Sequence, residues 1–461
     1  MKRLEQGKEN KGRANFSSRI GYVMAAAGSA VGLGNIWRFP YLAAKYGGGT
    51  FLVIYLILVY TFGYTMIMSE TTLGRMTHKS PVGAFKFFGN TFGHKFGGWI
   101  NAIIPIIIVS YYSVIGGWVL KYLVGYITGA SKIMATDTYF SNFISQSVPT
   151  EVYFIIFTAV TMLIILIGVQ NGIERISKIG MPVLIILGIF VAIYSMTRPG
   201  AVAGIKYFFI PNFDNFSWMT VVAAMGQMFY SLSIAMGILY TFGSYMKKDM
   251  DIEKATSQVE FFDTAVAVLA GLMIIPAVFA FSGGTPKALQ VGPSLMFITI
   301  PKVFASMGLG TPAGIAFFLL VFIAALTSAI ALAESAVSTF EDEAGMSRKA
   351  STVLVSAIIV GLGTLSSLGY SVLGSIKILG MDFLDFFDFI SNSVMMPIAA
   401  IATCVLILRS VTLNRIEEEI KISSEFKRQK IYNLFIKYFC IAFLAIILIS
   451  SVLNVFGIIK M

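Results

Sequence analysis

The residues best suited to chemistry are oxygen donors set inside long apolar stretches. Thr327 and Ser328 stand side by side in AALTSAIA, and Asp263 precedes a long run of uncharged residues. A charge near the middle of a membrane costs roughly 3–15 kcal/mol, so a carboxylate there needs a compensating partner. A hard monovalent cation needs several oxygens from hydroxyls, carbonyls or carboxylates. These residues therefore indicate a cation site inside a membrane.

Each of these residues also has a simpler structural interpretation. Ser and Thr in membrane helices more often bond backbone carbonyls or join neighbouring helices. Asp263 has an alternative place at the inner membrane interface, beside Lys254 and with Glu260 one turn away. Composition and spacing around these residues leave the alternatives open.

The stretch GSAVGLGNIWRFP, residues 28–40, favours a binding site. It places glycines at 28, 32 and 34, the polar Asn35 and a charged arginine within about three helical turns. Glycine weakens a helix, and a charge is costly in lipid. A helix broken inside a membrane frees backbone carbonyls and amides, which must then find other partners. The first span is therefore predicted to be broken, with its freed groups turned toward a ligand.

Composition assigns the chain to a membrane. Of its 461 residues, 57% are hydrophobic and 12% are charged, which is too little polar surface for a water-soluble protein of this size. Eleven uncharged runs are each long enough to cross a hydrocarbon core of about 30 Å as helices. They cover residues 20–37, 46–69, 96–120, 152–173, 179–197, 215–246, 264–286, 303–333, 350–376, 389–408 and 438–459. No run alternates as a barrel strand does, so an all-α integral membrane protein is predicted.

The net charge of +11 is distributed as in a membrane protein and does not indicate a nucleic-acid partner. With the amino terminus inside, most of the 34 Lys and Arg fall in the tail or in inner loops, as expected for a cytoplasmic membrane. The odd number of spans then leaves Met461 outside. Cys404 and Cys440 lie within spans as small buried residues, and the two histidines, His78 and His94, share one inner loop. Neither a His-ligated metal site nor a catalytic triad is therefore expected.

One membrane domain, residues 1–461, is predicted to repeat internally. Its parts are an inner tail, helices 1–5, helices 6–10 and a remaining helix 11, at residues 1–19, 20–197, 215–409 and 432–460. Many secondary transporters are inverted repeats whose first helices are broken at the binding site. Span 1 shows its break in its glycines, whereas span 6 has none at its middle. The break of span 6 is inferred from symmetry and from the hydroxyls of Tyr230, Ser231 and Ser233.

Charged residues near the span ends suggest gates. Arg38 lies at the outer end of span 1, and Asp385 and Asp388 lie at the outer end of span 10. An ion pair between Arg38 and these aspartates would form and break at a modest cost in free energy, because it remains partly hydrated. Arg13 and Asp342 are placed to act in the same way on the inner side. An ordinary loop charge is the alternative for each of these residues.

Two acidic residues and two segments are not part of the predicted gates. Glu70 and Glu334, in or near spans, fit a packed, hydrogen-bonded acid as well as a functional one. The outer segment 283–308 is too broken by Pro and Gly to span and is predicted to lie across the outer face as a lid. The polar interval 413–431 is predicted to be an inner loop or a short surface helix.

Eight motifs, in order along the chain, carry a specific resemblance. They are GSAVGLGNIWRFP (28–40), YGGGTF (46–51), SETTLGR (69–75), IGGWVLKYL (115–123), MGQMFYSLS (225–233), FGSYMKKD (242–249), ALTSAIAL (325–332) and FEDE (340–343). The chain resembles the neurotransmitter:sodium symporter family and, within it, the bacterial amino-acid transporters with the LeuT-like fold. The resemblance implies a 5+5 inverted repeat with discontinuous helices 1 and 6, and no enzymatic activity. One extra carboxyl-terminal helix gives eleven spans, where many members have twelve.

The resemblance implies two sodium ions. The first would bind the carbonyl of Ala30, the side chains of Asn35, Ser231 and Asp263, and the substrate carboxylate. The second would bind the carbonyls of Gly28, Val31 and Ala324 and the hydroxyls of Thr327 and Ser328. Asp263 replaces the asparagine common in the family, which puts a fixed negative charge beside the first ion. Members that need chloride use it for that charge, so chloride independence is expected here.

The resemblance also implies a class of substrate. Family members for amines carry an aspartate at the position of Gly32, so glycine there requires the substrate to bring its own carboxylate. Free amides at Leu33 and Gly34 suit that carboxylate. The implied substrate residues are Ala30, Leu33, Gly34, Ile108, Tyr112, Tyr230, Ser231, Ser233, Met236, Ser328 and Leu332. None of them is charged and Met236 is adaptable in shape, which favours a neutral, hydrophobic or aromatic amino acid.

These inferences predict sodium-coupled symport of an amino acid by alternating access across a lipid bilayer. The expected gate residues are Arg38 and Asp388 outside, and Arg13, Asp342, Phe16 and Tyr245 inside. A sodium-dependent amino-acid sensor and a channel-like protein without coupled turnover are the alternatives. The preferred amino acid, the number of sodium ions, proton counter-transport through Glu334 or Glu70, and the choice between a monomer and a weak homodimer stay open.

Overall fold

Helices make up every regular element of the protein in the computed structural model, which describes residues 14–283 and 293–458. Within these ranges nine helices are long and apolar enough to cross a membrane. Numbered by their order among the predicted spans, they are span 2 (Gly49–Thr77), span 3 (Phe92–Ile127), span 4 (Ser147–Ile167), span 5 (Val169–Met196), span 7 (Ile252–Phe281), span 8 (Gly310–Ala344), span 9 (Arg348–Leu368), span 10 (Phe383–Val411) and span 11 (Gln429–Val455). The prediction of an all-α membrane protein is confirmed.

Span 1 is broken, as its glycines predict. Span 1a (Arg19–Ala30) begins after Ser18, whose hydroxyl accepts the Gly21 N–H at 3.1 Å. Span 1b (Gly34–Lys45) follows at an angle of 55°. Its first turn is a π-helix, which widens the usual hydrogen-bond ladder. The last carbonyls of span 1a and the first amides of span 1b are therefore left without partners in their own helix.

Span 6 is broken although no glycine marks its middle. Span 6a (Trp218–Ser231) and span 6b (Ile238–Ser244) are separated by residues 232–237. Within that gap Ser233 and Ala235 adopt left-handed backbone, with φ of 55° and 59°. This conformation costs roughly 1–2 kcal/mol for a residue with a Cβ atom. The break therefore needs support from other parts of the chain.

Two polar contacts supply that support. Ser233 Oγ donates to the Ser29 carbonyl at 3.1 Å, which joins the break of span 6 to the break of span 1. Glu70 of span 2 is fully buried and accepts the Ala235 N–H at 2.9 Å. Glu70 is thus a packed, hydrogen-bonded acid that caps a strained turn. Symmetry suggests that span 6 breaks, and these contacts explain how the break persists.

The two breaks lie together inside a scaffold of continuous helices. Span 8 packs along span 3, and span 1a packs against spans 5, 7 and 8. With outer and inner assigned from the predicted orientation, span 6a packs on the outer half of span 2 and span 6b on its inner half. This is the arrangement expected when the first helices of two inverted repeats meet at their pseudo-two-fold axis. The scaffold leaves the broken segments surrounded on all sides by protein.

Short helices cover the outer face of the scaffold. The helix Leu295–Ala305 lies on the outer end of span 3, where Tyr122 OH donates to the Phe297 carbonyl at 2.8 Å. The Phe297 ring stacks on Phe140, with 4.9 Å between the ring centroids. This helix is part of the segment predicted as an outer lid. Residues 284–292 of that segment lie outside the described ranges.

A surface helix covers the inner end of span 2. The helix Leu413–Lys421 is strongly amphipathic, in agreement with one of the two structures predicted for this interval. Arg75 of span 2 is buried beneath it, and its Nε donates to Glu419 at 2.9 Å. Elsewhere in the scaffold, Cys404 and Cys440 are buried free thiols in spans 10 and 11.

Candidate functional site

A cavity lies between the two helix breaks. It is formed by spans 1, 3, 6 and 8 and leaves about 30 Å³ of space for water-sized molecules. Its lining residues are Ser29, Ala30, Gly32, Leu33, Gly34, Asn35, Ile108, Tyr112, Tyr230, Ser231, Ser233, Met236, Ile238, Ser328 and Leu332. All eleven residues predicted to bind substrate are among them. Ser29 and Ile238 were not predicted, because nothing in their local sequence separates them from ordinary helix residues.

The break of span 1 directs amide donors at this cavity. The Leu33 N–H donates to Tyr112 OH of span 3 at 3.2 Å. The Gly32 N–H donates to Asn35 Oδ1 at 3.3 Å. Both acceptors are neutral oxygens, and a carboxylate forms shorter and stronger hydrogen bonds with the same kind of donor. The cavity can therefore hold an anionic group without a cationic side chain.

Asp263 lies beside the cavity as a fully buried carboxylate. Its Oδ1 accepts from Asn35 Nδ2 at 2.7 Å and from Ser231 Oγ at 2.9 Å, and its Oδ2 accepts from Tyr55 OH at 3.2 Å. Within the described ranges, no Lys, Arg or His makes an ion pair with it. A buried carboxylate held only by neutral donors is suited to a bound cation. The complete burial of Asp263 among these donors disfavours the alternative of a carboxylate that reaches the inner interface beside Lys254.

Tyr55 is a partner of Asp263 that the sequence did not reveal. It lies in span 2 within FLVIYLILVY, where it looks like one more apolar-facing aromatic residue. Its hydroxyl is buried and points to a carboxylate on span 7. Only the packing of span 2 against span 7 brings the two together.

A second cluster of oxygens lies where span 8 meets the end of span 1a. Ser328 Oγ lies 3.4 Å from the Gly28 carbonyl and 3.5 Å from the Val31 carbonyl. Thr327 Oγ1 lies 3.2 Å from the Ala324 carbonyl. The five residues predicted as ligands of the second sodium are thus neighbours. The part of the chain that the structure describes has no group of three His, Cys, Asp or Glu that could hold a metal, so hydroxyl and carbonyl oxygens dominate this region.

At the outer end of the cavity, the two residues of the predicted gate have separate partners. The Arg38 guanidinium lies over the Tyr230 ring, 5.3 Å from its centroid. Asp388 accepts from Tyr111 OH at 3.0 Å and from Asn392 Nδ2 at 2.5 Å. Among the described residues, Arg38 and Asp388 form no ion pair within 4 Å. Arg38 and Asp388 are therefore not directly bonded to each other. The guanidinium of Arg38 instead contacts the aromatic ring of Tyr230.

The inner end contains the aromatic contact that was predicted. The Phe16 N–H donates to the Tyr245 carbonyl at 3.1 Å, and the two rings meet edge to face with 6.1 Å between their centroids. Asp342 Oδ2 accepts the Ser80 N–H at 2.6 Å, and Lys79 lies 3.8 Å from the same carboxylate. Arg13, the predicted partner of Asp342, lies outside the described ranges.

Glu334 extends this inner contact into the scaffold. It is fully buried in span 8 and accepts from Tyr245 OH at 2.7 Å. Both of its oxygens also accept from Arg348, at 3.1 and 2.6 Å, and Arg348 Nε donates to the Ile165 carbonyl at the end of span 4. The chain of bonds from Phe16 to Ile165 joins the broken helices to the scaffold. Glu334 is therefore a bridging acid, a role its position in ALAESA did not indicate.

Two facing helix breaks, a ligand cavity between them and oxygen clusters beside it define a secondary transporter with the LeuT-like fold. The profile described as the sodium:neurotransmitter symporter family matches residues 13–132 and 140–459. The chain belongs to this family, which confirms the resemblance carried by its motifs. It is a sodium-dependent, multi-pass membrane transporter and not an enzyme.

Relatives and a solved structure match nearly the whole chain. An uncharacterized sodium-dependent transporter of Bacillus subtilis is 34% identical over 448 residues, which are 96% of this chain and 98% of that protein. An uncharacterized sodium-dependent transporter of Haemophilus influenzae is 32% identical and covers 96% of this chain and 99% of its own length. The crystal structure of MhsT in complex with L-phenylalanine matches with a TM-score of 0.85 and 37% identity, over 95% of this chain and all of MhsT.

The tight packing around Gly32 gives a first testable prediction. A Cβ atom added there would lie 2.8 Å from Ser328 Oγ and 3.0 Å from Tyr112 OH. Overpacking of this kind costs about 1–3 kcal/mol, so Gly32→Ala is expected to lower the Tm of the purified protein. Gly361→Ala is the matched control, because a Cβ atom added at Gly361 meets nothing within 4 Å. An equal Tm for the two variants would show that the cavity is not closely packed at this position.

Proposed function

We propose that this chain is a sodium-coupled symporter that imports a neutral, hydrophobic or aromatic L-amino acid by alternating access. One observation carries the proposal: the cavity at the two breaks offers amides, hydroxyls and apolar side chains, and no charged side chain lines it. Such a cavity suits a substrate that brings its own carboxylate and amine and has an uncharged side chain. The likeness to MhsT, which was solved with L-phenylalanine, supports the same class of substrate.

The substrate carboxylate would lie at the break of span 1. It would accept the N–H groups of Leu33 and Gly34, whose helix turn also favours negative charge. Tyr112 OH, which accepts the Leu33 N–H at 3.2 Å, would turn to donate to the same carboxylate. An aspartate at position 32 would compete for this space, because even a Cβ atom there crowds Ser328 and Tyr112. The glycine thus favours amino acids over amines that lack a carboxylate.

The remainder of the substrate would face span 6 and span 8. Its amine would donate to the Ala30 carbonyl and to oxygens around Ser231 and Ser233. Its side chain would contact the apolar and aromatic residues that line the same cavity, which are Ile108, Tyr230, Met236 and Leu332 with Ser328 at one edge. The flexible thioether of Met236 lets the cavity adapt to side chains of different shape. Binding requires these side chains to move apart, since the cavity is small in this conformation.

Two sodium ions would complete the site. The first would take the place of the hydrogen bonds that join Asn35 and Ser231 to Asp263, with the Ala30 carbonyl and the substrate carboxylate as further ligands. The second would draw the hydroxyls of Thr327 and Ser328 away from the carbonyls that they bond. Because the first ion and the substrate share the carboxylate, each raises the affinity of the other.

A binding screen tests the proposal directly. Purified protein is expected to bind hydrophobic or aromatic members of the twenty amino acids saturably in sodium, and at least about tenfold more weakly when sodium is replaced by choline. Asp263→Ala should lose this sodium dependence together with most of the affinity. Asp249→Ala, which removes an exposed aspartate on the inner side, is the matched control. Sodium-independent binding of an amine that lacks a carboxylate would contradict the proposed function.

Chloride independence follows from the surroundings of Asp263. The side chains that could hold a chloride beside the first sodium, those of Tyr55, Ser231 and Asn35, all donate to its carboxylate. An added anion would meet the fixed negative charge of Asp263 at short range. The protein therefore carries its own counter-charge for the sodium.

Replacement of the Asp263 carboxylate by a neutral amide gives a second test. Uptake into liposomes by the unchanged protein is expected to be the same in chloride and in gluconate. Asp263→Asn should weaken sodium binding about tenfold or more, a difference of about 1.4 kcal/mol, and should make uptake rise with chloride. The measurement is initial uptake rate against sodium at several chloride concentrations. Loss of uptake by the unchanged protein in gluconate would refute chloride independence.

Alternating access needs closures on both sides of the cavity. On the outer side, Arg38 and Asp388 would meet as the path closes, over the rings of Tyr230 and Tyr112. On the inner side, we extend the proposed Arg13, Asp342, Phe16 and Tyr245 gate to include Glu334, because Tyr245 is bonded to it and it is held by Arg348. The paired inner side and the loosely paired outer side describe a conformation in which the inner path is the more firmly closed.

The inner bonds predict the effect of Glu334→Gln. A hydrogen bond to a charged group contributes about 1.5–3 kcal/mol, so this change should raise the rate of deuterium exchange in residues 16–30 roughly tenfold or more. The measurement is hydrogen–deuterium exchange of the protein in lipid nanodiscs. Glu343→Gln is the control, because Glu343 pairs with Lys86 on the same side and does not contact Tyr245. Equal exchange in the two variants would exclude Glu334 from the gate.

Orientation and coupling complete the proposal. The distribution of Lys and Arg supports a cytoplasmic membrane location with the amino terminus inside and the carboxyl terminus outside. A monomer or a weak homodimer is the proposed assembly. A channel or a sensor would also need polar groups at the breaks, but neither would show saturable counterflow of labelled substrate. Counterflow in liposomes therefore separates the symporter from both alternatives.

A further inference from the structure

A second cavity lies at the outer end of span 8, away from the helix breaks. It encloses about 270 Å³. Its lining residues are Tyr126 of span 3, Ser131 and Lys132 of the short helix Ser131–Met134, and Phe304, Ala305, Met307, Leu309, Gly310, Thr311 and Pro312. Nothing in the proposed transport cycle uses these groups.

The first turn of span 8 opens on this cavity. Span 8 begins at Gly310 and runs for 35 residues, and no side chain caps its amino terminus. Its preceding residue, Leu309, adopts left-handed backbone with φ of 61°. The Gly310 and Ala313 N–H groups donate to the Met307 and Leu309 carbonyls and Pro312 has no N–H, which, among the described residues, leaves the Thr311 N–H for a ligand. The amino terminus of a long helix carries a partial positive charge and attracts anions. Such a terminus becomes a binding site only when further groups converge on it.

Tyr126 supplies an independent sign of a ligand. It is 1% exposed, and its hydroxyl has no hydrogen-bond partner among the described residues. Its ring lies against Gly314, one turn into span 8, where an added Cβ atom would meet it. A buried hydroxyl without a partner costs about 1–3 kcal/mol. A ligand in the cavity that accepts from Tyr126 would recover that cost.

The other polar groups of the cavity are also donors. The hydroxyls of Ser131 and Thr311 lie 3.0 Å apart and can both turn toward a ligand. Lys132 forms no ion pair within 4 Å in the ranges that the structure describes. The nearest acid along the chain, Asp137, is paired with Lys302 and lies outside the lining. Donors and positive charge therefore converge on a small space, and no carboxylate lines it among the residues that the structure describes.

We propose that this cavity binds a small oxyanion, a carboxylate or a phosphate group, from the outer side. The anion accepts from Tyr126 OH, from the hydroxyls of Ser131 and Thr311, and from the Thr311 N–H in the first turn of span 8, and it pairs with Lys132. Span 8 also carries Thr327 and Ser328 at its centre. An anion bound at the end of this helix therefore stabilises the same element that forms the transport site.

Thermal unfolding of the purified full-length protein tests this site. Inorganic phosphate and acetate are titrated separately, with sodium and ionic strength held constant by chloride. At least one of them is expected to raise the Tm saturably, as a ligand that binds only the folded state does. A rise with phosphate alone identifies a phosphate site, and a rise with both identifies a site for oxyanions in general. The absence of a saturable rise with either anion would overturn the proposal.

Two variants separate the site from a general salt effect. Tyr126→Phe and Lys132→Gln should each weaken the apparent anion affinity about tenfold, since each removes one bond to a charged ligand. Lys206→Gln removes an exposed lysine elsewhere on the outer side and should leave the anion affinity unchanged. If the anion raises the Tm of Tyr126→Phe and Lys132→Gln as strongly and at the same concentrations as in the unchanged protein, the cavity is not its site. The test does not depend on the transported substrate, so it can fail while the proposed function holds.

Discussion

The structure depends on one constraint: backbone groups inside a membrane must be paired, and two helices at the centre of this protein are interrupted. Each interruption exposes carbonyls and amides that no lipid can satisfy. The two breaks therefore lie against each other and against spans 2, 3 and 8, where side chains such as Glu70, Tyr112 and Ser328 bond the exposed groups. The continuous helices act as the scaffold that keeps these weak points away from lipid. We propose that these groups, which are costly to bury unpaired, also bind the ion and the substrate.

The requirement that buried polar groups be paired also applies to the full charge of Asp263. Its carboxylate is buried among three neutral donors, an arrangement that lowers the cost of burial without cancelling the charge. A cation beside it would complete the compensation, which links the sodium dependence of the family to one physical need. Since span 7 brings this charge to the break of span 1, the proposed ion and substrate would share one small region. Their coupling would then require no distant pathway.

The two ends of the site differ in how firmly they are joined. At the inner end, neighbouring bonds connect Phe16, Tyr245, Glu334 and Arg348, and so connect the broken helices to spans 4, 8 and 9. At the outer end, the charge of Arg38 rests on an aromatic ring. Gates built from a few partly hydrated charged contacts cost little free energy to open. Alternating access requires gates that open in this way. In the proposed cycle, a difference of this kind between the two ends would open one path at a time.

Local patterns in the sequence determined the membrane class, the approximate spans and the break of span 1, because length, hydropathy and glycine content act within a single segment. The family motifs then indicated the residues of the central cavity. The tertiary structure alone decided the partners: Tyr55 at Asp263, Glu70 at the strained turn of span 6 and Arg348 at Glu334. These contacts join segments that are far apart in the chain, and a side chain in one helix carries no local mark of the helix that will face it. The chemistry of a side chain and the type of helix around it can be read from its own segment. Its tertiary contacts depend on how all the segments pack.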